Sequence, residues 1–323
     1  MYTDIHSDFI SESLIEILKS GINACNSLSG GIESFPMAEY FMQSLFLKLT
    51  GAFEQKMKCI CWDLATNNYS YRYDFLHNRN YGECSSYEEK NKIFNDVIRC
   101  IKNIDPNFKL CSIWDDIQID KLKFKDERLS WENKIKERRN KEISDIIKKR
   151  MMSGCSMNQF EKDKLENGIH NKPFPEEDFR VHISIIKREE WFQKQLCVIK
   201  ELLEKSQLKE WFPKEDSFYM KNLNTVFKSK YFSVTNNKGM ALLGGGLIDF
   251  YKKVVYDHRN RCAHNTLSYQ RNLPSLATLA DSGYVYQNYF FRYTLIVLMD
   301  SVIVKLYDYY RNINVTPKMM FRQ

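Results

Sequence analysis

Apolar residues in this chain recur mostly at intervals of three and four, with little strict alternation, and that rhythm predicts helices. The clearest stretch runs from 37 to about 67, where Phe41, Leu45, Phe46, Leu49, Phe53, Met57, Ile60 and Leu64 line one face. Ser34 and Pro36 stand just ahead of it, as expected of a helix start, because proline is tolerated only in the first turn. A shorter amphipathic helix is expected over 8–20, broken by Ser27-Leu28-Ser29-Gly30-Gly31. Further helices are expected at 86–103 and 109–122, separated by Asp105-Pro106.

From 121 to 150 the apolar positions thin out to Leu129, Trp131, Ile135, Ile143, Ile146 and Ile147, which suits a long, solvated helix or half of a helical hairpin. Breaks at 153–156 and 167–175 bracket another helix, and a further amphipathic one is expected over 187–208. Residues 209–246 are aromatic-rich and less regular, ending in Gly244-Gly245-Gly246. This glycine run lacks the Lys-Ser/Thr of a nucleotide loop and reads as a hinge. Helical periodicity resumes from Leu247 to about His264. A polar segment, 265–286, then precedes a last helix over 287–312 with Phe290, Leu295, Leu298, Val302 and Leu306 on one stripe.

Composition supports an all-α reading. The 323 residues include only 12 Gly and 7 Pro, and 43% hydrophobic with 28% charged residues describes an ordinary folded protein. The most apolar window, 294–306, is interrupted by Asp300 and is too short to span a bilayer, so no membrane partner is expected. Asp4, Asp8 and Glu12 among the first residues argue against a secretory leader. Nine scattered cysteines with no zinc-like spacing suit reduced thiols in a cytoplasm and no metal. Charge is unevenly spread: the window 121–150 holds twelve Lys/Arg against six Asp/Glu, most of the chain's net +7.

The densest chemistry lies at Arg259-Asn260-Arg261-Cys262-Ala263-His264-Asn265. A guanidinium can neutralise a phosphate and an imidazole can move a proton near neutral pH. On a helix Asn260 and His264 share a face, while Arg259 lies off to one side by well over a right angle. Cys262 and Ala263 read as small residues that allow close helix approach, and His258 as a flanking surface residue.

This string resembles the signature of the HEPN superfamily of ribonucleases, and its form Arg-Asn-x-Cys-Ala-His is similar to the abortive-infection branch. The run Leu49-Thr50-Gly51-Ala52-Phe53-Glu54 also resembles the family's early helix. The resemblance implies a HEPN-like helical bundle formed by 1–84 with 215–323, carrying 85–214 as a charged helical insertion. It implies a homodimer that faces two signatures across a groove. It further implies an endoribonuclease that needs no cofactor, cutting RNA such as tRNA by 2′-hydroxyl attack. His264 would transfer protons, Arg259 would stabilise charge on the phosphorane, and Asn260 would orient the imidazole or touch phosphate. Glu54 would pair with Arg259 from across the bundle. Such enzymes serve as toxins or anti-phage effectors, which implies an antitoxin or an activating partner.

The residues themselves leave a second reading open. Arg259 and His264 also suit the negative end of a helix dipole, as in a non-catalytic RNA-binding or protein-interaction module. Arg261, Lys134, Arg138 and Arg139 are candidate RNA contacts, with Trp131 and Phe124 as stacking candidates. Interleaved carboxylates fit a solvated helix equally well. A second Arg-x4-His, Arg72 to His77, has tyrosine in place of the polar residue after arginine and reads as a chance match.

Overall fold

A computed structural model describes residues 5–25, 35–78, 82–154, 157–205, 216–236, 239–264 and 287–320. They form α1 (Ile5–Ser11), α2 (Leu14–Cys25), α3 (Phe35–Asn67), α4 (Tyr69–Asn78), α5 (Tyr87–Ile104), α6 (Lys121–Met152), α7 (Gln159–His170), α8 (Glu176–Glu204) and α9 (Asp216–Val226). Two short strands follow, β1 (Phe232–Asn236) and β2 (Gly239–Leu243). After them come α10 (Gly245–Phe250), a π-helical stretch (Tyr251–Tyr256), α11 (Asp257–His264) and α12 (Tyr289–Met320). The fold is all-α.

Local chemistry explains several boundaries. Ser86 caps α5 by accepting from the Glu89 amide while the Glu89 carboxylate reaches back to Ser86, a reciprocal capping box. Asn158 and Glu161 repeat that device at α7. Asp120 starts α6 by accepting from the Leu122 amide at 2.9 Å. Three acids, Glu176, Glu177 and Asp178, occupy the first turn of α8, where the helix dipole favours them. α8 therefore begins directly after Pro175, earlier than its apolar period suggested.

The chain divides into two compact units, 1–113 with 191–323, and 114–190. Residues 85–113 and 191–205, which the sequence grouped with the insertion, therefore fall in the larger unit. In that unit α3, α5 and α12 share one core. Tyr289 to Asp300 is buried on every face of α12, so the single stripe expected for this helix widens into an all-round burial. Within it Asp300 pairs with Lys56 at 2.7 Å, both side chains at most 1% exposed. Asp300 also accepts from the Leu14 amide at 3.1 Å, and Lys56 donates to the Glu12 carbonyl at 2.5 Å. The pair thus fixes the start of α2. It also explains why the helix expected over 8–20 is two helices, since Glu12 and Ser13 turn the chain between them.

The irregular segment contains a feature that periodicity did not announce, an antiparallel hairpin with Phe232 opposite Leu243 and Val234 opposite Ala241. The open side of β2 is closed by side chains of α5. Asn91 accepts from the Leu242 amide at 2.8 Å, Asn95 donates to the Met240 carbonyl at 2.8 Å, and Tyr87 meets the Leu243 backbone. Backbone groups that a third strand would satisfy are met by carboxamides instead. Where a helix was expected over 109–122, a 3-10 turn forms at Leu110–Trp114 and α6 begins only at Lys121.

The smaller unit is held by Trp131, Phe179 and Ile183, with Ile135, Phe174 and Ile186 packed against them. The Arg128 guanidinium lies 4.5 Å from the Phe179 ring centroid and bonds Glu132 and Glu176.

Candidate functional site

The signature rides on a helix built in three parts. Gly244 heads it as the N-cap residue, in extended conformation beside the Tyr231 carbonyl oxygen. Its own amide donates to that oxygen at 2.6 Å. The π-helical stretch then carries Tyr251, Val254 and Val255 into the core. Such insertions re-aim the residues that follow and occur often at functional sites.

Arg259 comes out of this stretch toward α3. Its Nη2 donates to Glu54 Oε2 at 3.1 Å, with side chains 16% and 10% exposed. A second carboxylate, Glu83, stands 3.9 Å from the same nitrogen and is largely solvent-exposed. Arg259 Nη1 donates to Asn260 Oδ1 at 3.3 Å, so the carboxamide turns toward its own arginine. Arg261 is exposed. His264 ends α11, and its side chain lies outside the described residues. The pairing of Glu54 with Arg259 is thus present, while the placement of the imidazole is not described.

His258 is one residue that sequence reasoning misplaced. It is no surface histidine: its ring packs 5.0 Å from Phe46, and Nε2 meets the Tyr289 hydroxyl at 3.0 Å and Cys262 Sγ at 3.4 Å. Tyr289 in turn donates to Glu39 at 3.3 Å. Burial, helped by the nearby Arg292 and Arg261 charges, lowers the His258 pKa to about 3, leaving a neutral imidazole at pH 7. Burial raises the Cys262 thiol above its ordinary value, so Cys262 is a packing residue and no thiolate. Ala263, expected to allow close helix approach, is exposed.

Two further residues went unnoticed in the sequence. Lys90 is 1% exposed, and its amine donates to the carbonyls of Cys84 at 2.5 Å and Ser85 at 2.7 Å. It also lies 5.5 Å from the Phe53 ring and 5.6 Å from the Tyr251 ring. Tyr251 donates its hydroxyl to the same Ser85 carbonyl at 3.0 Å. Burial first of all, partly offset by Glu54, lowers the Lys90 pKa to about 8. Lys90 stands three, four, seven and eleven positions before Ile93, Phe94, Val97 and Ile101, so the period of α5 already places it on the buried stripe, and the approach of α3 and the π-helical stretch supplies what covers it.

The other candidates resolve individually. Arg139 is buried, donating to the His170 and Pro173 carbonyls at 3.0 Å each, so it ties the smaller unit together and is withdrawn as an RNA contact. Trp131 is 7% exposed in that unit's core and cannot stack on a base. Lys134, Arg138 and Phe124 remain accessible. Arg72 caps the end of α3, donating to the carbonyls of Ala65 at 2.7 Å and Thr66 at 3.0 Å, and His77 stacks on Tyr73. That second match is occupied with local structure. Among the described residues no group of three or more potential metal ligands comes together, and no helix is long and apolar enough to cross a membrane.

Comparison of the chain with protein-family models, with curated proteins and with solved structures gives no match. The functional reading therefore stands on residues and geometry.

Proposed function

We propose that the chain is an endoribonuclease of the HEPN kind, acting as a homodimer on RNA such as tRNA in toxin-like or anti-phage defence, under an antitoxin or activating partner. The observation that supports this most is the Arg259–Glu54 pair. An arginine beside two carboxylates, with a sixth of its side chain still open, is aimed but not sealed. Among the described residues its Nη1 bonds only a neutral carboxamide, so one edge of the fork can be offered to a phosphate.

The chemistry asks little more. A base takes the proton from a ribose 2′-hydroxyl, the 2′-oxygen bonds to phosphorus, and the bond from phosphorus to the 5′-oxygen breaks. The departing 5′-oxygen receives a proton, leaving a 2′,3′-cyclic phosphate and a 5′-hydroxyl. His264 is assigned the proton transfers, worth about 10²–10⁴-fold, and Arg259 the charge that develops on the phosphorane oxygens. Glu54 positions Arg259. Asn260, turned toward Arg259, helps to hold that guanidinium.

The same ion pair favours one alternative, a non-catalytic helical binding module in which Arg259 merely links α11 to α3. One experiment separates them. Purified protein is incubated with total tRNA and with single-stranded RNA in EDTA, beside the Arg259→Ala and His264→Ala variants. Cleavage with cyclic phosphate ends, lost by at least about 10²-fold in both variants at unchanged helical content, is the expected result. A strand with a 2′-deoxyribose at the scissile position should stay intact. Equal cleavage by wild type and both variants would falsify the nuclease reading.

A further inference from the structure

Burying an ammonium costs several kcal/mol unless its surroundings repay it, and a methionine of similar length would fill the same space without that cost. Lys90 is nevertheless 1% exposed and charged beside the site. It connects three separate pieces of backbone. On one side is the ring of Phe53, the residue before Glu54 on α3. On another are the carbonyls of Cys84 and Ser85, where Cys84 holds a left-handed φ of 60°, a conformation that a non-glycine residue keeps only when its surroundings enforce it. On the third is the ring of Tyr251, which opens the π-helical stretch leading to Arg259 and bonds Ser85 as well. The turn held in this way is the one that carries Glu83 toward Arg259.

We propose that Lys90 is a positioning residue of the site: through the Cys84–Ser85 turn and Tyr251 it holds Arg259 on Glu54, with its positive charge drawing the carboxylate inward and pressing the guanidinium outward. The assignment of a catalytic purpose to this arrangement rests on the endoribonuclease reading; the arrangement itself does not. The charged and titratable groups around the ammonium are Glu54 on α3, Cys84 and Glu89 on the turn and α5, and Tyr251 and Arg259 on the signature helix.

The test reads the Arg259 side chain directly. In protein labelled with ¹⁵N-arginine, the Arg259 Nε resonance, assigned by Arg259→Lys, is followed from pH 6.5 to 9.5. Wild type should show an inflection as Lys90 loses its proton, and Lys90→Met should show a displaced resonance with no inflection. Tyr251→Phe, which removes only the second bond to Ser85, should displace the resonance and keep the inflection. A wild-type resonance that does not move, or one unaffected by either substitution, overturns the proposal. The wild-type titration and the tyrosine variant decide the matter even if Lys90→Met does not fold. Where wild type cleaves RNA, Lys90→Met should lower kcat by about ten- to a hundred-fold with KM little changed, as for a misplaced catalytic group. An unchanged kcat overturns the positioning role. Absence of cleavage by wild type sinks the nuclease reading alone, because the arginine resonance reports without turnover.

Discussion

His258 and Arg259 occupy successive positions of α11, and burial treats them differently. The arginine keeps its charge on a carboxylate from α3, whereas the imidazole gives its charge up to an aromatic pocket. The neutral imidazole has a consequence for acid stability. With its pKa lowered from about 6.5 to about 3, the unfolded chain takes up a proton at a higher pH than the folded one. Stability contributed by this residue is therefore complete above about pH 6.5 and drains away as the pH falls toward 3. His258→Phe should lack that loss, so the urea midpoints of wild type and variant should move relative to one another between pH 7 and pH 4, in favour of the variant at low pH. A gap that stays constant across that range would refute the buried-neutral assignment. The pattern also shows what single residues disclose. The Arg259–Glu54 partnership was expected only through the family resemblance of the two segments, since nothing in the spacing of residue 54 selects residue 259 as its partner. Lys90 was overlooked although Ile93, Phe94, Val97 and Ile101 put it on the buried stripe of α5; what the sequence does not disclose is the set of carbonyls that receives its amine.

At the scale of elements, spacing identified the long helices well, since α3, α5, α6 and α12 depend on local period, caps and proline. Contacts made far along the chain were the ones that escaped. The break between α1 and α2 is set by Lys56 and Asp300, remote in sequence from it and from each other. The β-hairpin is stabilised by Asn91 and Asn95 of α5, polar residues that a period count registers only as a solvent face. Asp300 had been read as an interruption in an apolar window, yet it is the anchor of α2. Removing its charge leaves Lys56 buried without a counter-ion, and Asp300→Asn should cost about 3–5 kcal/mol in urea unfolding. A double change, Lys56→Met with Asp300→Leu, should cost much less than the two single changes combined, because it removes both charges together. Additive losses would show that the two side chains act independently.

Across the whole molecule, the basic character read from 121–150 is local. Over the compact unit 114–190 there are 18 Lys/Arg against 17 Asp/Glu, so the basic run belongs to a nearly balanced surface. Several of its cations are matched within that unit, as Lys123 with Glu190 and Arg128 with Glu132 and Glu176. Lys134 and Arg138 remain exposed. If they meet a strand's phosphates, each alanine substitution should reduce the slope of log affinity against log salt by about 0.7, measured by filter binding of single-stranded RNA. Arg139→Ala should leave the slope alone and lower the unfolding temperature, since its donors are spent on two carbonyls. The carboxamides along β2 carry a further implication. A strand border already occupied by Asn91 and Asn95 has no ladder left to extend, so a stray peptide or a misfolded neighbour cannot zip onto that side of the hairpin, and fibrillar growth from it is blocked.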